Sequence, residues 1–286
     1  EYRVDGFRMD ATGYMNIPPQ DASGWSLMQR LNDEVDRRFA DKFLVAEQLP
    51  NNDWVTRPTA LGGAGFDAQY HMKWRDNLRG ALFAADAGDP SMGAVRDALL
   101  GSGTYISGTR AYNYVELHDE AWPSSGGQRL VRSIDTTAPH DDAFAKGRTK
   151  LVNGLTLVAP GVPILLQGTE WLESNDFGAE AANRLDWSKK TTYAGIFHFY
   201  RRLIGLRRAL APLEADASLY VSHVNEGGNV IAFRRWKGSQ QLMVVANFSN
   251  TSHASYRFGV PANEGWIELV NSQDPAYLGS GPANPG

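Results

Sequence analysis

An α/β domain built on a parallel sheet, followed by a small antiparallel β domain, is the fold class this 286-residue sequence predicts. Two observations carry the expectation. Over the first two thirds, short apolar runs alternate with longer stretches that are apolar at helical spacing, the pattern of βα units. After Pro212 the chain turns into short β-rich segments separated by Gly, Asn and Ser turns.

Taken in order, strands are expected at 2–9, 42–46, 65–69, 113–117 and 163–167. The second, Phe43-Leu44-Val45-Ala46, is continuously apolar, as a strand covered on both faces should be. Helix 25–39 follows the first strand, with Trp25, Met28, Leu31, Val35 and Phe39 on one stripe. Helices 72–83 and 92–99 form the third crossover. Helices 143–158 and 194–210 come last, the final one with Phe197, Tyr200, Leu203, Ile204 and Leu206 on one side. Five such units do not close an eight-stranded barrel, which takes about 250 residues, whereas about 210 precede Pro212. Either the fold is another α/β type or the first part of a barrel is missing. The β segments are expected at 218–224, 230–236, 241–247, 255–258 and 266–270, and the Gly/Pro-rich tail 279–286 is expected to be irregular.

Composition narrows the function. A net charge of −4 removes the electrostatic case for a nucleic-acid partner. With no cysteine, disulfides, thiolate catalysis and Cys-based zinc sites are excluded, and a cytoplasmic location is compatible. The longest apolar run, 151–167, is broken by Pro160, Gly161 and Pro163, so no membrane span is expected.

In parallel α/β folds, catalytic groups gather at the carboxyl ends of strands. Three strand ends here carry carboxylates: Gly6-Phe7-Arg8-Met9-Asp10, Val45-Ala46-Glu47 and Tyr114-Val115-Glu116-Leu117-His118-Asp119-Glu120. A lone Asp after a strand is more often a helix cap. Three such carboxylates, with an Arg and a His beside them, weaken that explanation, because charges next to apolar strands are costly without partners. Paired carboxylates are what glycoside cleavage requires, one attacking the anomeric carbon and the other protonating the leaving oxygen. Arg8, two residues before Asp10, points to the same side of its strand. It would keep Asp10 ionised, which suits a nucleophile.

These segments resemble the α-amylase superfamily (glycoside hydrolase family 13). Gly6-Phe7-Arg8-Met9-Asp10-Ala11 is similar to its barrel strand-4 motif, Val45-Ala46-Glu47 to strand 5, His118-Asp119 to strand 7, and Pro163-Ile164-Leu165-Leu166-Gln167-Gly168-Thr169-Glu170 to strand 8. The separations, 37 residues from Asp10 to Glu47 and 72 from Glu47 to Asp119, suit that order. The resemblance implies that Asp10 is the nucleophile oriented by Arg8, that Glu47 is the general acid/base, and that Asp119 and His118 bind sugar hydroxyls. Within the superfamily, the segment Arg3 to Thr12, Tyr114-Val115-Glu116, and Asn271-Ser272 with Tyr277 and Gly279-Ser280-Gly281 look most like 1,4-α-glucan branching enzymes. Leu117 departs from the Asn or Ser usual before His-Asp. The implied architecture is strands 4–8 of a TIM (β/α)8 barrel over 1–212, starting at strand 4 as an internal piece of a longer protein. A small antiparallel β-sandwich domain, itself truncated, follows over 213–286.

The resemblance implies a retaining transglycosylase that cleaves α-1,4 bonds in an α-glucan and forms α-1,6 branches through a glycosyl-enzyme intermediate, without cofactor or metal. The competing expectations are an α-amylase-type hydrolase and a non-catalytic glucan-binding protein. Tyr14, Trp54, Tyr70 and Trp122 are candidate sugar-stacking residues, each of which could equally pack against a barrel rim. Asp67 is expected to make a structural hydrogen bond. His140, His198, His223 and His253 lack metal-ligand spacing. Gly62-Gly63-Ala64-Gly65 is no phosphate loop, since no Lys-Ser or Lys-Thr follows.

Overall fold

The computed structural model describes residues 3–15, 23–101, 108–261 and 265–281. Residue 2 of the first expected strand and 282–286 of the expected irregular tail lie outside them. Five short strands form one parallel sheet in chain order: β1 (Gly6–Met9), β2 (Phe43–Ala46), β3 (Ala68–Tyr70), β4 (Ala111–Asn113) and β5 (Val162–Pro163). Every β-to-β step is a crossover between sheet neighbours. That is the layout of consecutive βα units in a barrel. Among the described residues, β1 and β5 each pair on one side only.

The alternation within β2 shows how the sheet is buried. Leu44 and Ala46 pack outward with Met28, Trp25, Leu31 and Val35 of α1 (Ser23–Arg38). Val45 and Phe43 point inward with Ala68, Tyr70, Tyr112, Tyr114 and Leu117. Phe39, expected on the α1 stripe, falls past the helix end and is 55% exposed. Gly6 is obligatory in β1: a Cβ there would sit 1.8 Å from the Phe43 carbonyl oxygen.

The largest core joins α2 (Met72–Ala84), α3 (Met92–Leu99), α5 (Leu130–Ile134), α6 (Ala143–Val158) and α8 (Ala194–Ala209). Two short helices, α4 (His118–Ala121) and α7 (Lys189–Thr192), lie in loops. The buried stripe of α8 is Ile196, Phe199, Tyr200 and Leu203, rotated from the expected one; Ile204 is 42% exposed and Phe197 instead carries the Lys190 ammonium 4.5 Å above its ring. The spacing of the buried set fits a 3.6-residue repeat more closely.

The strand ends differ from expectation in an instructive way. The chain at 65–69, 113–117 and 163–167 was expected to be strand, but ladder pairing covers Ala68–Tyr70, Ala111–Asn113 and Val162–Pro163. Residues 114–117 and 164–167 run on beyond the sheet toward the loops. Their apolar side chains made them look like strand, yet apart from Ile164 N donating to Asn113 O at 2.8 Å they extend no ladder among the described residues and pack on the core.

Beyond a turn at Ala211–Leu213, β6 (Ser218–Asn225), β7 (Val230–Lys237) and β8 (Gln240–Asn247) make a three-stranded antiparallel meander. The expected strands at 255–258 and 266–270 form no ladder among the described residues. Tyr256 instead reaches the sheet through its hydroxyl, 2.6 Å from His223 Nε2 and 2.7 Å from Asn225 Nδ2. Buried Arg235 ties this sheet to α6, donating to Val158 O at 2.9 Å and to Glu214 O at 2.5 Å. Arg207 donates to Leu157 O at 2.7 Å. Both guanidiniums therefore sit on the carbonyl end of α6, where positive charge is favoured. Burial lowers each to about 10, and for Arg235 the Arg207 charge adds to it. At the opposite pole, the Glu226 carboxylate in the β6–β7 turn accepts from Met92 N and Gly93 N, both at 2.7 Å, at the start of α3. No helix among the described residues is long and apolar enough to cross a membrane.

Candidate active site

The carboxyl ends of β1 and β2 and the segment after β4 meet at one cavity of about 250 Å³, lined by Asp10, Ala11, Gly13, Tyr14, Glu47, Leu49, His118 and Asp119. The three carboxylates singled out by the sequence are thus brought together, with His118 and Tyr14.

Arg8 links two of the carboxylates. The parallel register sets Arg8 opposite Val45 and Met9 opposite Ala46, so Asp10 and Glu47 leave their strands side by side. The Arg8 guanidinium bonds Asp10 through Nη1 and lies 2.5 Å from Glu47 Oε1 through Nη2. Two carboxylates on one guanidinium stand within ~5–7 Å of each other, and ~5 Å is the separation of retaining glycosidases. Burial opposes the charge of Arg8, but Tyr70, Asp10 and Glu47 outweigh it and hold the guanidinium above its ordinary value.

Glu47 is buried at 5% exposure, whereas the Asp10 side chain is 78% open. The second oxygen of Glu47 accepts from Ala11 N at 2.7 Å. That bond needs the turn after β1, where Ala11 adopts φ 45°, ψ 43°. A non-glycine residue pays for such a left-handed conformation in strain. Thr12 completes the clasp, with its hydroxyl 3.0 Å from Glu47 O and from Gln48 Oε1.

His118 and Asp119 open α4. Leu117 offers no side-chain acceptor at the cap, and its side chain is buried with Tyr114 and Val45. The Glu120 carboxylate instead reaches back to Leu117 N at 2.9 Å and is held by Arg75 at 2.8 Å. This is one half of a capping box; the half that an N-cap side chain would supply is missing with leucine. Asp119 and His118 remain half open, their side chains 52% and 37% exposed.

The aromatic candidates divide. Tyr14 lines the cavity at 77% exposure. Trp54 and Trp122, 43% and 44% exposed, do not line it, and Trp54 lies under the Arg57 guanidinium at 4.1 Å. Tyr70 offers no open face. It is 8% exposed, with Arg8 5.5 Å above its ring and Tyr112 stacked at 6.4 Å. The inward direction of β3 buries it, and burial pushes its hydroxyl up. Asp67 makes its structural bond, accepting from Leu44 N at 2.7 Å. His71 is 2% exposed and donates from Nδ1 to Asn113 Oδ1 at 2.8 Å; burial keeps it neutral.

A second layer had no sequence signal beyond a position near a strand end. Glu116 is fully buried, accepts from Leu130 N, and faces Arg129 Nη1 at 3.6 Å. Burial raises its carboxyl, and Arg129 opposes the rise. Arg129 also donates to Gln167 O at 2.8 Å and Asn175 O at 3.0 Å, joining the segment after β4 to the loop after β5.

Consecutive parallel strands with an Arg-bridged carboxylate pair at their carboxyl ends are the layout of part of a (β/α)8 barrel. Comparison with known proteins agrees. Residues 220–286 match the α-amylase C-terminal all-β domain. Along 99% of its length the chain is similar, at 25% identity, to the 1,4-α-glucan branching enzyme GlgB of Corynebacterium jeikeium, of which it covers 42%. A branching enzyme of Bacillus cereus is 27% identical over 99% of the chain and 44% of that protein. The chain thus spans about two fifths of the length of these curated relatives. The fold matches a pullulanase of Paenibacillus barengoltzii complexed with maltotetraose, with a TM-score of 0.71 and 20% identity over 93% of this chain and 44% of that one. A pullulanase of Anoxybacillus superposes with a TM-score of 0.62 at 22% identity, over 86% of this chain and 38% of that one. The chain is thus similar along its whole length to branching enzymes, and over its last quarter to the α-amylase C-terminal all-β domain.

Proposed function

We propose that this chain supplies the catalytic half of a retaining α-glucan transglycosylase that cleaves α-1,4 linkages and makes α-1,6 branches. One observation carries the reading: Arg8 bridges Asp10 and Glu47, which line one cavity together with His118 and Asp119. The names of the relatives that match the whole chain favour branching over other glucan chemistry.

On this reading the open Asp10 carboxylate attacks the anomeric carbon and forms the glycosyl-enzyme bond. Glu47 protonates the departing glucan oxygen, then takes the proton from the 6-hydroxyl of an acceptor chain as that oxygen displaces Asp10. Glu47 Oε1 is ion-paired with Arg8, and Oε2 accepts from Ala11 N. The proton it donates therefore sits on an oxygen that has given up one of these contacts. Asp119 and His118 hold hydroxyls of the distorted sugar. Residues 1–212 form the catalytic unit and 213–286 a C-terminal β unit. On the same reading the enzyme works in the cytoplasm, which cell fractionation tests.

The test is product analysis with amylose, using the complete (β/α)8 enzyme that contains this chain. New α-1,6 linkages without a rise in reducing ends are expected, and Asp10→Asn should abolish them. Rising reducing ends without branches would make it a hydrolase, and full activity in the Asp10→Asn variant would remove the nucleophile assignment.

A further inference from the structure

We propose that Phe177 is a specificity-determining residue whose exposed ring prolongs the active-site cavity past His118 and stacks on a glucose unit of a long α-glucan. This rests on the glucan reading above. The ring is 43% exposed and belongs to none of the three apolar clusters, so it contributes little to the core. Its centroid lies 5.7 Å from that of His118, tilted by 60°. His118 lines the cavity and Phe177 does not, so Phe177 begins where the cavity wall ends.

A lone exposed aromatic is ordinary on a protein surface. What sets Phe177 apart is how firmly its backbone is held. Its N–H donates to Ala121 O at 2.9 Å, on the same short helix that carries His118 and Asp119. Asp176, just before it, accepts from Arg129 N at 3.1 Å and pairs with Arg132. Arg129, 3% exposed, fixes Asn175 O and Gln167 O and faces the buried Glu116. On the other flank, the fully buried Glu173 side chain accepts from Ser174 N and Asn175 N at 2.8 Å each, from Asp186 N at 2.5 Å and from Lys189 Nζ at 2.9 Å. Gly168 allows this packing, because at φ +93° its Cβ would meet the Glu173 side chain at 2.5 Å.

Two buried carboxylates and a buried guanidinium are a costly way to build a surface loop. Their common effect is to hold one apolar ring still beside the cavity. Pyranose rings present a C–H face to aromatic rings, and a platform fixed beforehand loses little entropy on binding. A ring one residue's reach beyond His118 meets a sugar only when the chain is longer than the cavity itself holds. The ligand class is therefore a linear α-1,4-glucan of several units, discriminated from short maltooligosaccharides.

The test is calorimetric titration, with maltotriose and maltoheptaose, of the complete (β/α)8 enzyme that contains this chain, carrying Asp10→Asn throughout to stop turnover: otherwise wild type, Phe177→Ala, Phe177→Trp and Asp119→Ala. Phe177→Ala is expected to weaken maltoheptaose roughly 5- to 20-fold while shifting maltotriose less than about twofold. Phe177→Trp should restore the maltoheptaose affinity, and thermal melts should show Phe177→Ala as stable as wild type. Unchanged maltoheptaose affinity in Phe177→Ala, or equal loss for both sugars, overturns the proposal while the glucan site stands, provided Asp119→Ala weakens both. If wild type binds neither sugar, or Asp119→Ala binds as well as wild type, the glucan reading falls and this inference with it.

Discussion

Replacing Arg8 by Gln should loosen the site and the sheet edge together. The guanidinium serves two carboxylates in different surroundings. Asp10 is 78% open, so solvent screens its share to a few tenths of a kcal/mol. Glu47 is 5% exposed and would keep Ala11 N as its remaining donor. Losing the ion-pair partner of a buried carboxylate costs about 1.5–3 kcal/mol. The guanidinium also lies 5.5 Å from the Tyr70 ring, a contact of about 0.5–1 kcal/mol. The expected destabilisation is about 2–4 kcal/mol, read as a fall in Tm of roughly 5–12 °C for a chain of this size. A double-mutant cycle with Glu47→Gln isolates the bridge, and a coupling of about 1–2 kcal/mol is expected. Thermal denaturation by circular dichroism measures both. A coupling below about 0.3 kcal/mol would show that Arg8 and Glu47 do not share a bond, and the carboxylate spacing inferred from that bond would go with it.

Three further outcomes follow from charges elsewhere in the chain. Arg129→Met strands the Glu116 carboxylate and should cost about 3–5 kcal/mol in denaturant melts, with the Glu116→Gln/Arg129→Met double variant recovering a good part. Lys150, 1% exposed, donates to Ser272 O and Tyr277 O, and burial, helped by Lys146, lowers it to about 8. The folded chain thus binds fewer protons than the unfolded one between pH 8 and the ordinary lysine value near 10.5. Stability from this group is lowest below pH 8 and rises through that window, by up to about 3 kcal/mol. Melts from pH 7 to 10.5 should show the rise in wild type and its absence in Lys150→Met. Glu226→Ala removes the anion from the α3 N-terminus and should lower stability by about 1–2 kcal/mol, a loss that added salt diminishes in wild type; no change would mean that the turn does not hold the helix.

The residues that face two ways were the legible ones. Asp10, Glu47 and Asp119 end apolar runs, so a period-two pattern followed by a charge points to them, and the structure sets all three on one cavity. The sheet order was legible for the same reason, since each apolar run is followed by its own crossover. Tyr70 shows the limit. Sequence places it at a strand end, but only the inward direction of β3 decides that Arg8, rather than a sugar, covers its ring. The strand limits failed where apolar side chains persist beyond the hydrogen-bonded ladder, at 114–117 and 164–167. Arg129 and Glu173 were illegible because their partners are mainly backbone groups, which leave no trace in residue type.

The β6–β8 sheet meets the helices with a carboxylate at the start of α3 and a guanidinium at the end of α6. Each charge is matched to the sign of the pole it touches. Turned end for end, the sheet would offer Glu226 to carbonyl oxygens and Arg235 to amide hydrogens, repelled at both contacts. The joint between the two sheets therefore works as a polarised plug: apolar burial would tolerate either insertion, and the two charges admit one.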